Sequence, residues 1–211
     1  VHSDESTLPE AVDEALLRAG FDHGDDAKTL IRSNLHATDA RHRVLALRGA
    51  VRHSLLSSDD WLNALCDPDL DVRREALTLI AYEKVTDAIV FAQVMDALSD
   101  PDPLVVDGAA FALGEHLCID AVEPLCVVAQ SHDDARCREA AVAALGTIGD
   151  DRGRAAVLGA LDDKPPVRRR AIVALSNFEG PDIEEALARA GDDRDWQVRA
   201  AVNQLARENE D

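Results

Sequence analysis

Apolar residues return along this chain at a helical period, and the same stretch of pattern returns several times. They fall at Val72, Ala76 and Ile80 in one stretch, at Cys137, Ala141 and Leu145 in another, and at Val167, Ala171 and Leu175 in a third. Steps of four mark one face of an α-helix. No window alternates with the period of two that a half-buried strand requires. The stretches align on an apolar residue and an arginine, followed three residues later by alanine. Clear copies are anchored at Asp69, Asp102, Asp134, Lys164 and Asp195, with a weaker one at Asp39. The spacings are 30, 33, 32, 30 and 31 residues. A repeat of this length is one supersecondary unit that cannot bury its apolar face alone, so it stacks on its neighbours.

Each copy predicts two helices. The second begins at the anchor, where Asp39, Asp69, Asp102, Asp134 and Asp195 are good N-caps: a carboxylate accepts the unpaired N–H groups of the first turn. Pro103 and Pro165 suit the first helical position, where no N–H is missed. The first helices are expected within Trp61–Cys66, Asp87–Leu98, Val122–Gln130, Arg154–Leu161 and Ile183–Ala190. Gly114, Gly146 and Gly149 are read as helix ends or following turns. Ahead of the first anchor, Thr7-Leu-Pro-Glu10 resembles a capping box and starts a helix ending near Gly20; Asp25 or Asp26 then caps a helix to about His36. One core column reads Leu47, Leu77, Ala110, Val142, Ile172 and then Asn203. The polar last member suits a terminal layer, so a whole array is expected. Ala109, Ala110, Ala140, Ala141, Ala143 and Ala144 leave little bulk between helices and favour close stacking without aromatics.

Composition narrows the function classes. The 211 residues carry 41 acids and 22 bases, a net charge of −19, with aromatics at 3%. Such a surface repels phosphate, so a nucleic-acid partner is not expected. Apolar runs are far shorter than a membrane span, and no leader-like segment opens the sequence. The acid is spread evenly, 28 of the 41 acids are aspartate, and lysine occurs only at Lys28, Lys84 and Lys164. That balance fits a cytoplasmic protein of a high-salt microbe, where salt screens carboxylate repulsion; a GC-rich genome would explain the arginines equally. Cys66, Cys118, Cys126 and Cys137 form no CxxC pair and are expected as buried, reduced thiols.

The phrase Asp-Pro-Asp-x-x-Val-Arg-x-x-Ala-x-x-x-Leu resembles HEAT-like repeats of the phycobilisome-lyase type. Asp67-Pro68-Asp69 to Ile80 is the closest copy and Asp100-Pro101-Asp102 to Leu113 the next. The likeness covers about residues 25–207. It implies an all-α, right-handed α-α superhelix (solenoid) of about six helical pairs. The expected divisions are an N-terminal capping helix over 1–24, repeats over 25–207 and an acidic tail over 208–211. It also implies a structural ladder between repeats, with Arg43, Arg73, Arg138, Arg168 and Arg199 matching the arginines and Asp67, Asp100, Asp162 and Asp193 the aspartates. Arginine is lost at Val106, and aspartate at Ala37 and His132, so the ladder is expected to break in the middle.

Chemistry is sparse. A HEAT-type di-iron hydroxylase needs several His-Glu pairs, and the sequence has none. A glycosylase of this architecture needs a basic, aromatic face. A bilin lyase would need arginine or histidine for propionates; Arg48, Arg52 and His53, or Arg168–Arg170, are the candidates. His132-Asp133-Asp134 with Cys137 is the one tight mixed cluster, better explained by capping and core. No nucleophile elbow or phosphate-cradling loop occurs. No catalytic, cofactor-binding or metal residue is therefore assigned. Binding of a partner protein remains, through a groove lined by the second helices: Arg48, Arg74, Thr78, Asp107, Phe111, Glu139, Arg169 and Val173. The expected function is a non-enzymatic scaffold or adaptor, in a signalling or motility complex. The alternative is a bilin lyase-like or other cofactor-handling subunit.

Overall fold

A computed structural model describes the backbone of residues 7–208 and the side chains of 11–207. Every regular element among them is helical. The chain divides into two compact units, Val1–Gln93 and Val94–Asp211.

The first unit holds α1 (Thr7–Ala19), α2 (Asp25–Asn34), α3 (Ala40–Arg52), α4 (Ser58–Leu65), α5 (Leu70–Tyr82) and the start of α6 (Ala88–Asp96). Helix α3 packs on α1, α2 and α5, and α4 packs on α5. Leu16, Ile31, Leu47, Leu77 and Ile80 are fully buried there. A buried carboxylate, Asp13, ties α1 to α3: Arg41 Nε lies 2.8 Å away and His42 Nε2 3.4 Å away.

The second unit holds the end of α6, then α7 (Pro103–Glu115), α8 (Val122–Ser131), α9 (Ala135–Ile148), α10 (Arg154–Gly159), α11 (Pro165–Leu175), α12 (Pro181–Ala190) and α13 (Trp196–Glu208). The second helices form one layer, α7 on α9, α9 on α11, α11 on α13. The first helices α8, α10 and α12 form the other, each packed on the second helix of its own pair. Two first helices tighten at their ends into 3-10 turns, Ala97–Ser99 and Ala160–Asp162.

The anchor aspartates start the second helices as the repeat phrase requires. Asp39, Asp69, Asp102, Asp134 and Asp195 each accept the N–H two residues on, at 2.8–2.9 Å. Lys164 has no such side-chain bond, and α11 starts on Pro165 instead.

Several local expectations change. Gly149 does end α9 in the left-handed conformation, at φ 66°. Gly114 and Gly146 lie in the last turns of α7 and α9, and each lets the next helix approach. A Cβ on Gly114 would stand 3.0 Å from the Cα of Ala144, and one on Gly146 only 2.6 Å from the Cα of Ala174. Helix α2 is capped by neither Asp25 nor Asp26. Gly24 is its N-cap, both acids sit in the first turn, and the helix stops at Asn34. Cys66 is exposed at the end of α4, whereas Cys137 is buried, which pushes its thiol up to about 11. The Thr7–Glu10 capping box and the 208–211 tail fall outside the described side chains.

Candidate functional site

Rungs of charge between an arginine and an aspartate hold repeats together within each unit. Arg43 meets Asp67 through two parallel bonds of 2.7 Å. Its third nitrogen donates to the carbonyls of Ala37 and Thr38 at 2.8 and 3.0 Å. Arg168 meets Asp193 the same way, at 2.9 and 2.7 Å, and donates to Asp163 O at 2.8 Å. Such bidentate pairs combine charge with a fixed plane. The aspartate also accepts the N–H of the cap residue two places on, as in Asp67 to Asp69 and Asp193 to Asp195. One carboxylate thus shapes its own turn and receives the preceding repeat's arginine. The arginine's hydrogen bonds hold Asp193 below the usual carboxylate range.

One rung corrects the sequence register. Arg138 bonds Asp163, at 2.6 and 2.7 Å, and not Asp162. In this repeat the 3-10 turn Ala160–Asp162 closes the first helix, and the acid facing α9 is the next residue. Arg138 also holds Asp163 below its ordinary pKa. Arg73 donates to the carbonyls of Asp67 and Pro68, and Asp100 accepts from Asp102 N. Arg199 donates to Asp193 O at 2.6 Å.

Between the third and fourth repeats both members of a rung are absent together. Val106 takes the arginine's place and is fully buried. His132 takes the aspartate's place, and its Nδ1 accepts Asp134 N at 3.1 Å. The histidine keeps the turn and loses the charge.

The second-helix side chains named for partner binding fall into two recesses, one in each unit. In the first unit Arg48, Arg74 and Thr78 line a recess of about 580 Å³ between α3 and α5. Arg48 is bidentate to Glu75 at 2.7 Å, Arg74 lies 3.5 Å from Asp71, and Thr78 Oγ1 donates to Arg74 O. In the second unit Asp107, Phe111 and Glu139 line a recess of about 470 Å³ between α7 and α9. Its floor is Gly114, Ala140, Ala143 and Ala144. Phe111 stands 42% exposed. Arg169 and Val173 lie outside this recess; Arg169 donates to Gln197 at 3.2 Å. Arg136 and Arg170 line it instead, Arg136 bonded to Asp134 at 2.8 Å and Arg170 lying 3.7 Å from Glu139. Three successive arginines at 168–170 were the sequence signal: about 100° of helix per residue sends each one a different way.

Among the described residues no group of three or more His, Cys, Asp or Glu is placed to hold a metal ion, and no helix is long and apolar enough to cross a membrane. Cys137 donates instead to Pro103 O. The side chains considered for a bilin's propionates are engaged within the protein. Arg52 lies over the Phe21 ring at 4.6 Å, His53 Nε2 is 2.9 Å from Ala19 O, and Arg48 and Arg168 hold carboxylates.

Solved structures share the fold. An engineered protein superposes with a TM-score of 0.64 at 21% identity, over 88% of this chain and 96% of its own. The CpcE and CpcF complex of phycocyanin lyase from Nostoc sp. gives 0.60 at 20%, over 83% and 74%. A designed armadillo repeat protein in complex with the peptide (KR)4 gives 0.57 at 16%, over 95% and 99%. No curated protein matches. The family model for HEAT repeats matches twice, over residues 91–176 and 122–206, together more than half of the chain. With paired helices stacked as a repeat solenoid and arginine rungs between them, this chain belongs to the HEAT-repeat family.

Proposed function

We propose that the chain is a non-enzymatic scaffold that holds a partner protein against its second helices. The observation that carries this reading is Phe111, an aromatic ring that is part-exposed and lines the α7/α9 recess beside glycine and alanine. An exposed aromatic anchor ringed by mixed charge is the usual chemistry of a protein contact. Asp107, Glu139, Arg136 and Arg170 supply that rim. Arg48, Arg74 and Thr78 offer a polar counterpart in the first unit, and Arg169 and Val173 extend the second-unit surface along α11. The bilin-handling alternative is supported only by a likeness of fold, and its candidate arginines are already paired.

We place the scaffold in the cytoplasm of a high-salt microbe, within a signalling or motility complex, with 1–24 as a capping segment, 25–207 as the repeat array and 208–211 as an acidic tail. The even spread of aspartate supports the salt, and Leu16 and Ala19, buried beneath α2 and α3, support the cap. Affinity purification from the native host tests the binding reading. A partner retained by the wild type and lost with Phe111→Ala, at unchanged melting temperature, is the expected result. An identical set of partners for both proteins overturns it. Titration with a bilin should leave the absorbance spectrum of the pigment unchanged. The melting temperature should rise between dilute buffer and molar salt.

A further inference from the structure

Of three recesses on the first-helix side, the one at the ladder position without an arginine is the widest. Where Arg43 and Asp67 form a rung, the recess between the first helices measures about 50 Å³. Where Arg168 and Asp193 form one, it measures about 190 Å³. Between α6 and α8, at Val106 and His132, it measures about 700 Å³. Its walls are Met95, Pro101, Pro124 and Val127, and its far end is His132 and Asp133.

The backbone that a rung arginine would meet lines this recess. Every rung arginine sends one nitrogen to the carbonyl five or six residues before it. For position 106 those carbonyls belong to Asp100 and Pro101, both in the recess wall. The other half of a rung is an acid of the following repeat, and Arg138 shows that this acid can stand one residue late, at Asp163. The same shift from position 132 lands on Asp133. Asp133 and Asp163 each immediately precede the anchor residue of their repeats, Asp134 and Lys164. Asp133 is exposed, and its backbone carbonyl is held by Arg138 at 3.1 Å.

We propose that this recess is a guanidinium socket, filled by an arginine side chain that a partner protein presents. The arginine would complete the missing rung from outside, its fork on Asp133 and its third nitrogen toward the carbonyls of Asp100 and Pro101. Its methylene stem would lie along Pro101, Pro124 and Val127, as long cationic side chains do on apolar surface. A planar fork suits this arrangement and a lysine ammonium does not. The protein's charge of −19 favours approach of such a segment. The socket lies apart from Phe111 and does not depend on the α7/α9 reading.

The test uses the full chain, isotopically labelled, at low ionic strength, with the blocked tripeptide Gly-Arg-Gly as probe and its citrulline counterpart as the uncharged isostere. The arginine peptide should shift the amide resonances of Ser99, Asp100, Asp102 and residues 131–134 saturably, and the citrulline peptide should bind about tenfold more weakly or worse. Asp133→Asn should weaken the arginine peptide by a similar factor, and Phe111→Ala should not weaken it. Val106→Arg, which supplies the guanidinium from within, should abolish binding. Equal binding of both peptides, no binding, shifts confined to the Phe111 recess, or full affinity in Asp133→Asn would each overturn the proposal. Should Val106→Arg fail to fold, Asp133→Asn and the citrulline peptide still decide it.

Discussion

The α3/α5 junction of the first unit and the α9/α11 junction of the second join repeats by the same rung and by different helix contacts. Both carry an arginine on an aspartate, Arg43 on Asp67 and Arg138 on Asp163. Twelve residues past the anchor the two part ways. In the second unit that position is Gly146, packed on Ala174 of the next helix so closely that a Cβ would stand 2.5 Å from the alanine's own. The corresponding register positions of the first unit are Val51 and Leu79, which fill space that glycine and alanine leave empty. There a long charged pair, Arg48 and Glu75, spans α3 and α5 instead. Close backbone approach and charge bridging are alternative ways to hold neighbouring repeats. The HEAT-repeat family model matches from residue 91 onward, the part of the chain that holds Gly114 and Gly146.

The largest expected effect comes from breaking a rung in the charge-bridged unit. Arg43→Met leaves the Asp67 carboxylate buried beside one backbone N–H, and should cost about 3 kcal/mol in urea unfolding. Rungs also set the acid limb of stability. Asp163 and Asp193 have folded pKa values below their unfolded ones because Arg138 and Arg168 bond their charged forms. Their contribution is complete above the unfolded value, near pH 4, and is lost as pH falls through the folded values. Unfolding free energy should therefore fall below about pH 4, and Asp193→Asn should flatten that fall.

The helix contacts of the second unit are tested next. Gly146→Ala should destabilise by about 1–3 kcal/mol, because the added methyl meets the backbone of Ala174. Gly159→Ala should instead stabilise by up to about 1 kcal/mol, since nothing lies within 4 Å of its Cβ. Opposite signs for one chemical change would show that Gly146 is kept for close approach. Two destabilising results of equal size would remove that distinction.

These glycines separate what is local in the sequence from what depends on packing. The repeat period, the anchor caps and the buried column Leu47, Leu77, Ala110, Val142 and Ile172 were all legible, because helical periodicity and capping are local. Gly114 and Gly146 are legible as helix-end residues, because glycine's local preference is for turns, and both lie in last turns. Their contacts with Ala144 and Ala174 depend on packing between repeats about thirty residues apart. Asp163 was missed for a similar reason: a one-residue shift in a loop changes which acid faces the arginine without disturbing the repeat phrase. Phe111 was legible as a residue, and its recess was not, since the walls come from two helices. Asp13 gave no signal at all, although it is the buried acid joining α1 to α3.

A smaller effect separates caps from rungs. Asp102→Ala removes the bond to Leu104 N at 2.9 Å but leaves Pro103 to start α7. The loss should be about 1 kcal/mol. The same change at Asp195, whose helix starts without proline, should cost at least as much. A cost in Asp102→Ala equal to that of Arg43→Met would mean the turn, and not the rung, dominates each junction.

The smallest expected effect is at Arg48 and Glu75, the pair that spans α3 and α5 in place of close approach. Its two bonds of 2.7 Å are ideal in geometry, yet Arg48 is about half exposed, so water competes for the guanidinium and salt screens it. A double-mutant cycle with Arg48→Ala and Glu75→Ala should give a coupling of under about 1 kcal/mol, smaller still in molar salt. Glu75→Ala alone should cost little more than the coupling, since Arg48 regains full hydration when freed. A coupling as large as the Arg43 rung, or one insensitive to salt, would mean that this pair is held in a drier junction than its exposure indicates. The first unit would then depend on charge in the middle of its helices as well as at their ends.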